Sequence, residues 1–452
     1  SEDSLMTVNV NVREGYLRAA RLGGGWGSLD CFRMTGDLTE YNLLQSATRL
    51  ELRGRVSKIG IGQPLGGAAG ACPQAQEDIY SANLNYYLGA TVSQPAVLRS
   101  AWVPTLSVYS ERRSEYNAFL RTTPIGVGLN VSNTIAQRTR ALGYTIELGR
   151  TEASAALFCG VFNACSEDDR SSLQSDRRIA VLSASQSIER TDNPIDPSEG
   201  FVARAEVRHA SPPVGADRDI NFTRTTIDGS SYIRVSEGVI FAARVRLGVV
   251  FGESFALQQG VTGFVPPQER LYAGGPTTVR GFRQNELGPS VYIPDTYALV
   301  RPGAPNTFVN EADVAAGDTV WARAFPDSTG QRAVPLGGNA MIIGNTEFRF
   351  DSPFLPDAIK WTLFADFGEL WNRATSRGSL GFRAVKMTPG LGIRIRTPIG
   401  FVRADIAYNM YNASTGAAFF DRGQGLGGEL WCVSPTNTFP VVREGTRLTQ
   451  VT

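Results

Sequence analysis

Thr48-Arg49-Leu50-Glu51-Leu52-Arg53-Gly54-Arg55-Val56-Ser57-Lys58 sorts its side chains by parity: Leu50, Leu52, Gly54 and Val56 share one side, Arg49, Glu51, Arg53, Arg55 and Ser57 the other. Alternation at period two marks a strand with two unlike faces, because successive Cβ atoms point to opposite sides of a sheet. The same sorting returns at Phe201–Arg208 (Phe201, Ala203, Ala205, Val207 against Arg204, Glu206, Arg208) and at Val239–Val249 (Phe241, Ala243, Val245, Leu247 against Arg244, Arg246). It returns again at Lys360–Gly368, where Trp361, Leu363, Ala365 and Phe367 oppose Lys360, Thr362 and Asp366. A soluble sandwich also alternates, but on strands of about 5–6 residues. These segments run to roughly ten, with short and long connections taking turns, which is how a membrane-spanning barrel reads. Short turns are expected at Asn42–Ala47, Asp351–Asp357 and Thr397–Gly400, and long polar loops at Gly62–Ala82, Ala155–Arg177, Glu253–Gly338 and Asn412–Arg447. With the short turns on the periplasmic side, every long loop faces outward.

The expected fold is all-β, a transmembrane antiparallel up-and-down barrel. Fifteen segments can be counted from Tyr16–Gly27 to Phe401–Met410, among them Ala118–Asn130, Thr139–Thr151 and Arg383–Arg396. Bacterial single-chain barrels generally have an even number of strands. About sixteen are therefore expected, with the last missing from a chain that stops at Arg447-Leu448-Thr449-Gln450-Val451-Thr452. Residues 15–452 form the expected barrel, with 253–338 as its longest loop, while residues 1–14, alternating from Met6, read as the end of a periplasmic domain or a linker.

Composition narrows the function. The chain of 452 residues carries 44 Lys and Arg against 43 Asp and Glu, a net charge of +1 that gives no nucleic-acid partner a handle. Nowhere does an apolar run reach the ~18 residues a spanning helix needs; the best stretch, Gly238–Gly252, is interrupted by Arg244 and Arg246. No secretory leader opens the sequence as given. A single histidine, His209, and five cysteines with no C-x-x-C spacing leave little for a metal site, so no metal and no cofactor is expected. An enzyme housed in the barrel has little support, since no nucleophile–His pair stands out.

Inside the longest loop lies ERLYAGGPTTVRGFRQNELGP, Glu269–Pro289. Gly274-Gly275-Pro276 reads as a turn, and Val279-Arg280-Gly281-Phe282 as a compact tip whose glycine permits backbone conformations closed to other residues. This stretch resembles the sixth-loop signature of the BamA/TamA outer-membrane β-barrel assembly superfamily, which also includes two-partner secretion exporters. Gly338-Asn339-Ala340 with Asn345, Glu347 and Arg349 resembles the strand that follows; Phe364-Ala365-Asp366-Phe367-Gly368 with Trp371 resembles the next; Gly390–Asp405 resembles the two after that. The resemblance covers about Leu17–Tyr411, most tightly Glu269–Asp405. It implies that the loop folds into the lumen and that Arg280 bonds Asp366 and Glu347, both lumenal by parity. It also implies that residues 1–14 end a POTRA-like domain. The plain alternative is a solvated Arg280 among general lumenal charge.

Gly23, Gly24, Gly25 and Gly27 weaken the first segment. In the family this strand meets the last at a seam that opens toward lipid, where a free strand edge templates an incoming strand; the alternative is that the run only allows curvature in a closed barrel. Cys159 and Cys165, six positions apart in an outer loop, are a disulfide candidate, and Cys31, Cys72 and Cys432 also map to the outer end. The leading expectation is a factor that inserts other outer-membrane proteins, with outer-membrane lipids, unfolded outer-membrane clients and periplasmic or lipoprotein accessory subunits as partners. The second is a pore for polypeptide secretion or passive diffusion.

Overall fold

The computed structural model describes residues 15–95, 101–162, 164, 167–252, 265–294, 297–300, 320–323, 331–356, 358–372, 384–397, 400–411, 416, 419–421 and 430–432. Residues 1–14 and any strand beyond residue 432 lie outside them. Fifteen strands follow one another in a single antiparallel sheet, each paired with its neighbours in sequence. They are β1 Arg18–Gly27, β2 Cys31–Leu43, β3 Thr48–Ile59, β4 Asn85–Ser93, β5 Trp102–Glu115, β6 Phe119–Ile135, β7 Arg138–Ala153 and β8 Arg177–Thr191. The second half comprises β9 Gly200–Ala210, β10 Phe222–Ser236, β11 Val239–Gly252, β12 Ala340–Asp351, β13 Ile359–Trp371, β14 Lys386–Thr397 and β15 Gly400–Ala407.

Register keeps the two kinds of side chain apart across the whole sheet. Phe241, Phe348, Leu363, Leu391 and Ile406 are consecutive register partners from β11 to β15 and form one outward apolar row. Its exposure climbs from 39% at Phe348 to 81% at Ile406 toward the last strand. Such a row would be costly in water and suits hydrocarbon. Arg246, Asp228 and Arg204 occupy the opposite face, again as register neighbours. A one-residue slip would exchange the faces, so the lipid and the lumen fix the register together.

The polar face turns inward, as one loop segment demonstrates. The Asn285 side chain donates to the Tyr116 carbonyl, at the end of β5, over 3.0 Å, and the Thr388 hydroxyl of β14 donates to the Arg280 carbonyl over 2.5 Å. Five residues of chain span at most about 17 Å, whereas nine strand spacings in a flat sheet span about 43 Å. The sheet must therefore curl around the segment, with the polar wall inside.

Connections divide by end. Residues 44–47, 94–101, 136–137, 192–199, 237–238, 352–358 and 398–399 join strands at one end, and all the long excursions (60–84, 154–176, 211–221, 253–339 and 372–385) lie at the other. Two tight connections, 28–30 and 116–118, share the long-loop end, so that end is not uniformly elaborated. The long-loop mouth is capped by an apolar core: the helix Ala155–Phe162 buries Leu157, Phe158 and Phe162 against Ile179, Ile220, Phe222, Val291, Val334 and Leu336. Beside β1 and β2 a disulfide joins Cys31 to Cys72 across 41 positions of sequence. The sequence alone assigns those two cysteines no partner. Cys159 is disulfide-bonded, and its expected partner Cys165 lies outside the described residues.

Candidate functional site

The tip Val279-Arg280-Gly281-Phe282 sits against the inner wall of β12–β15. Arg280 meets Asp366 as a fork: Nε donates to Oδ2 and Nη2 to Oδ1, each at 2.7 Å, while the Arg280 backbone N–H adds a 2.9 Å bond to Oδ2. Its Nη1 reaches Glu347 at 3.2 Å and Asp405 at 3.3 Å. The guanidinium lies over the Phe364 ring, its carbon 3.4 Å from the centroid. Asp366 is fully buried. A guanidinium is suited to this position because its planar donors match a carboxylate in pairs while its face stacks on an aromatic ring.

Local sequence explains the seat. Gly281 has φ of +94°, a conformation a Cβ would strain, and its carbonyl accepts from the Asn409 side chain at 3.1 Å. Val279 is fully buried with Leu287, Ile343 and Leu370. Gly368 makes room for it, since a Cβ there would stand 2.6 Å from Val279 Cγ2. Phe282 packs beside Tyr411, their rings 6.4 Å apart.

Four acids and a set of cations extend this contact down the wall. Glu347 also accepts from Arg349 at 3.0 Å and Arg394 at 2.5 Å, and Asp405 from Arg403 at 2.6 Å. Arg349 passes the chain on to Asp196, 3.7 Å away, in the 192–199 turn at the short-loop end; Asp196 also binds Lys360 at 2.8 Å. The turn itself is shaped by Asp192, which accepts from the backbone N–H of Ser198 and Glu199. A hydrogen bond from the Ser198 hydroxyl, with those backbone bonds, holds the Asp192 carboxyl well below the usual range. Burial opposes the charge on Arg280, but the hydrogen bond and charge of Asp366, with Glu347 and Asp405, outweigh it and raise the pKa.

Of the expected residues, Val279, Arg280, Gly281, Phe282, Glu347 and Asp366 come together. Asp405, Phe364, Thr388 and Asn409 complete the site and escape sequence reading; parity alone places Asp405 on Arg403's lumenal side, a usable signal. Gly23, Gly24, Gly25 and Gly27 are elsewhere, in β1, which pairs with β2 along its whole length from Arg18 to Gly27. Among the described residues, neither β1 nor β15 has a second partner, so they are the two ends of the sheet.

An Omp85 superfamily domain matches residues 42–420. The chain belongs to the Omp85 superfamily. This Omp85 protein is an outer-membrane β-barrel. Among solved structures it is similar to BamA from Haemophilus ducreyi lacking POTRA domains 1-3, with a TM-score of 0.63 and 15% identity over 93% of this chain and 69% of that one. It also matches CdiB from Acinetobacter baumannii (TM-score 0.44, 11% identity, 87% of this chain and 56% of that one) and CdiB from Escherichia coli (0.44, 12%, 88% and 60%). The BamA match is a likeness of fold. For this Omp85 barrel the loop between β11 and β12 is the sixth connection at the long-loop end, and its described tip lies against the wall.

Proposed function

We propose that the protein inserts and folds other outer-membrane β-barrel proteins, working at the seam between its first and last strands. One observation carries the reading: the strand that bounds the seam is the weakest in the sheet by its own composition. β1 has ten residues, four of them glycine, whereas β6 has seventeen and β7 sixteen. Whatever strand lies beside β1, few side chains are available to hold it, so this joint opens at least cost. An opened edge presents unpaired backbone N–H and C=O groups to a client strand. Clients would be unfolded outer-membrane proteins, with periplasmic or lipoprotein accessory subunits and a POTRA-like module around residues 1–14 as further elements of the reading.

The second reading is a polypeptide secretion pore or passive channel. It is disfavoured by the apolar cap around Leu157 and Phe158 and by the loop tip held inside the lumen against the wall. Reconstitution with an unfolded barrel client tests the choice. Faster client folding than in empty liposomes is expected, together with low ion conductance; no acceleration, or a wide conductance, overturns the assembly reading.

A further inference from the structure

The lumenal faces of β1–β3 hold more cations than acids. Arg21, Arg33, Arg49, Arg53 and Arg55 share that side with Asp37 and Glu51. Both acids are already engaged: Arg53 binds Asp37 at 2.7 Å and Glu51 at 2.6 Å, and Arg49 binds Glu51 at 2.9 Å. Arg21 is the register partner of Asp37, yet it is Arg53 that takes the carboxylate. Among the described residues no hydrogen bond or ion pair involves the side chain of Arg21 or Arg33, and both are exposed. On β15, at the other end of the sheet, Arg403 is neutralised by Asp405 in the same strand.

Arg33 does more than stay unpaired. Its side chain lies from β2 over the bare backbone of Gly25 in β1: a Cβ at position 25 would stand 2.8 Å from Arg33 Nε and 3.4 Å from its Cγ. Glycine at 25 thus leaves the space over β1, the end strand of the sheet, that the Arg33 side chain occupies. On the lipid side of the same strand Leu22 and Trp26 are 92% and 56% exposed. The strand edge therefore offers an apolar rim outside and two unpaired cations inside.

We infer that β1 selects its incoming strand by charge: an amphipathic polypeptide strand, apolar toward lipid beside Leu22 and Trp26 and acidic at alternate lumen-facing positions beside Arg21 and Arg33. The inference rests on the seam reading above and gives the client strand a chemistry. Directly opposed charges on paired strands attract, and the free guanidinium groups supply half of each pair.

The full chain in phosphatidylcholine liposomes is titrated with two fluorescent peptides that carry identical leucines at alternate positions and either Asp or Lys between them. The Asp peptide is expected to bind about 3–10-fold more tightly at low salt, with the gap closing as salt is raised. The R21Q/R33Q double variant abolishes the preference while keeping heat-modifiability. Gly25→Val retains every charge but fills the space that Arg33 occupies, and weakens the preference to that of R33Q alone. Equal binding of both peptides, or a preference that survives R21Q/R33Q, overturns the charge selection and leaves the seam reading standing. Binding of neither peptide overturns both.

Discussion

The walls at the two ends of this sheet are built on opposite plans. β12–β15 hold a buried guanidinium, three carboxylates in contact with it and further arginines that close the charges off, all packed on Phe364 and sealed by Val279. β1–β3 offer glycine in place of packing along β1 and, among the described residues, leave Arg21 and Arg33 without an acid. The comparison teaches that one sheet can carry two kinds of wall, because strand pairing is common to both and the side chains decide how much else holds each in place. On the proposed reading, stability of the lumenal loop is therefore separable from strength of the seam.

The sharpest way to break the contrast is to unbrace the strong wall. Arg280→Ala leaves Asp366 buried without its partner and should cost about 3–5 kcal/mol, seen as a lower midpoint for heat-modified migration; an unchanged midpoint would show that the loop is held by Val279 packing alone. Asp366→Ala should cost a similar amount, and the double variant much less than the sum, since both remove one contact. Next comes the covalent link: Cys31→Ser with Cys72→Ser should lose about 2–4 kcal/mol, read as faster proteolysis of the 60–84 loop, with the Arg280 wall unaffected. Asp196→Asn should cost about 1.5–3 kcal/mol and speed backbone exchange in the 192–199 turn. The smallest effect works in the other direction. A Cβ added at Gly24 would meet nothing nearer than the Arg33 carbonyl oxygen, 3.9 Å away. Gly24→Ala should therefore stabilise β1 by about 0.5–1 kcal/mol and slow client folding; faster client folding would contradict a yielding seam.

Much of this is legible in the sequence, for a physical reason. Lipid outside and water inside impose period two on every strand, so parity locates all fifteen and puts Asp366 and Glu347 in the lumen. Boundaries fail where turn chemistry is silent. The strand expected at Ala118–Asn130 is β6, which continues to Ile135, because the turn uses Ala136 and Gln137, with φ of 47° and 66°, rather than an Asn-Gly or Asp-Gly pair. The segment expected from Arg383 begins at Lys386 instead. Contacts made through folding are hidden as well: Cys31 starts β2 whereas Cys72 lies in the 60–84 connection, and Asp196 looks like any acidic turn residue until the sheet curls and brings Arg349 and Lys360 to it. Phe364 is easily missed because an aromatic residue on a strand reads as lipid-facing unless its parity is checked against Asp366.

The disulfide at Cys31 gives the first hairpin a direction. Cys31 opens β2 just after the 28–30 connection, and Cys72 fastens it to a loop whose Asp78 and Ser81 are buried together with Lys58 of β3. The covalent tie thus lies at the long-loop end of the hairpin, and Arg18 and Leu43, at the short-turn end, are the positions of β1 and β2 farthest from it, held by strand pairing.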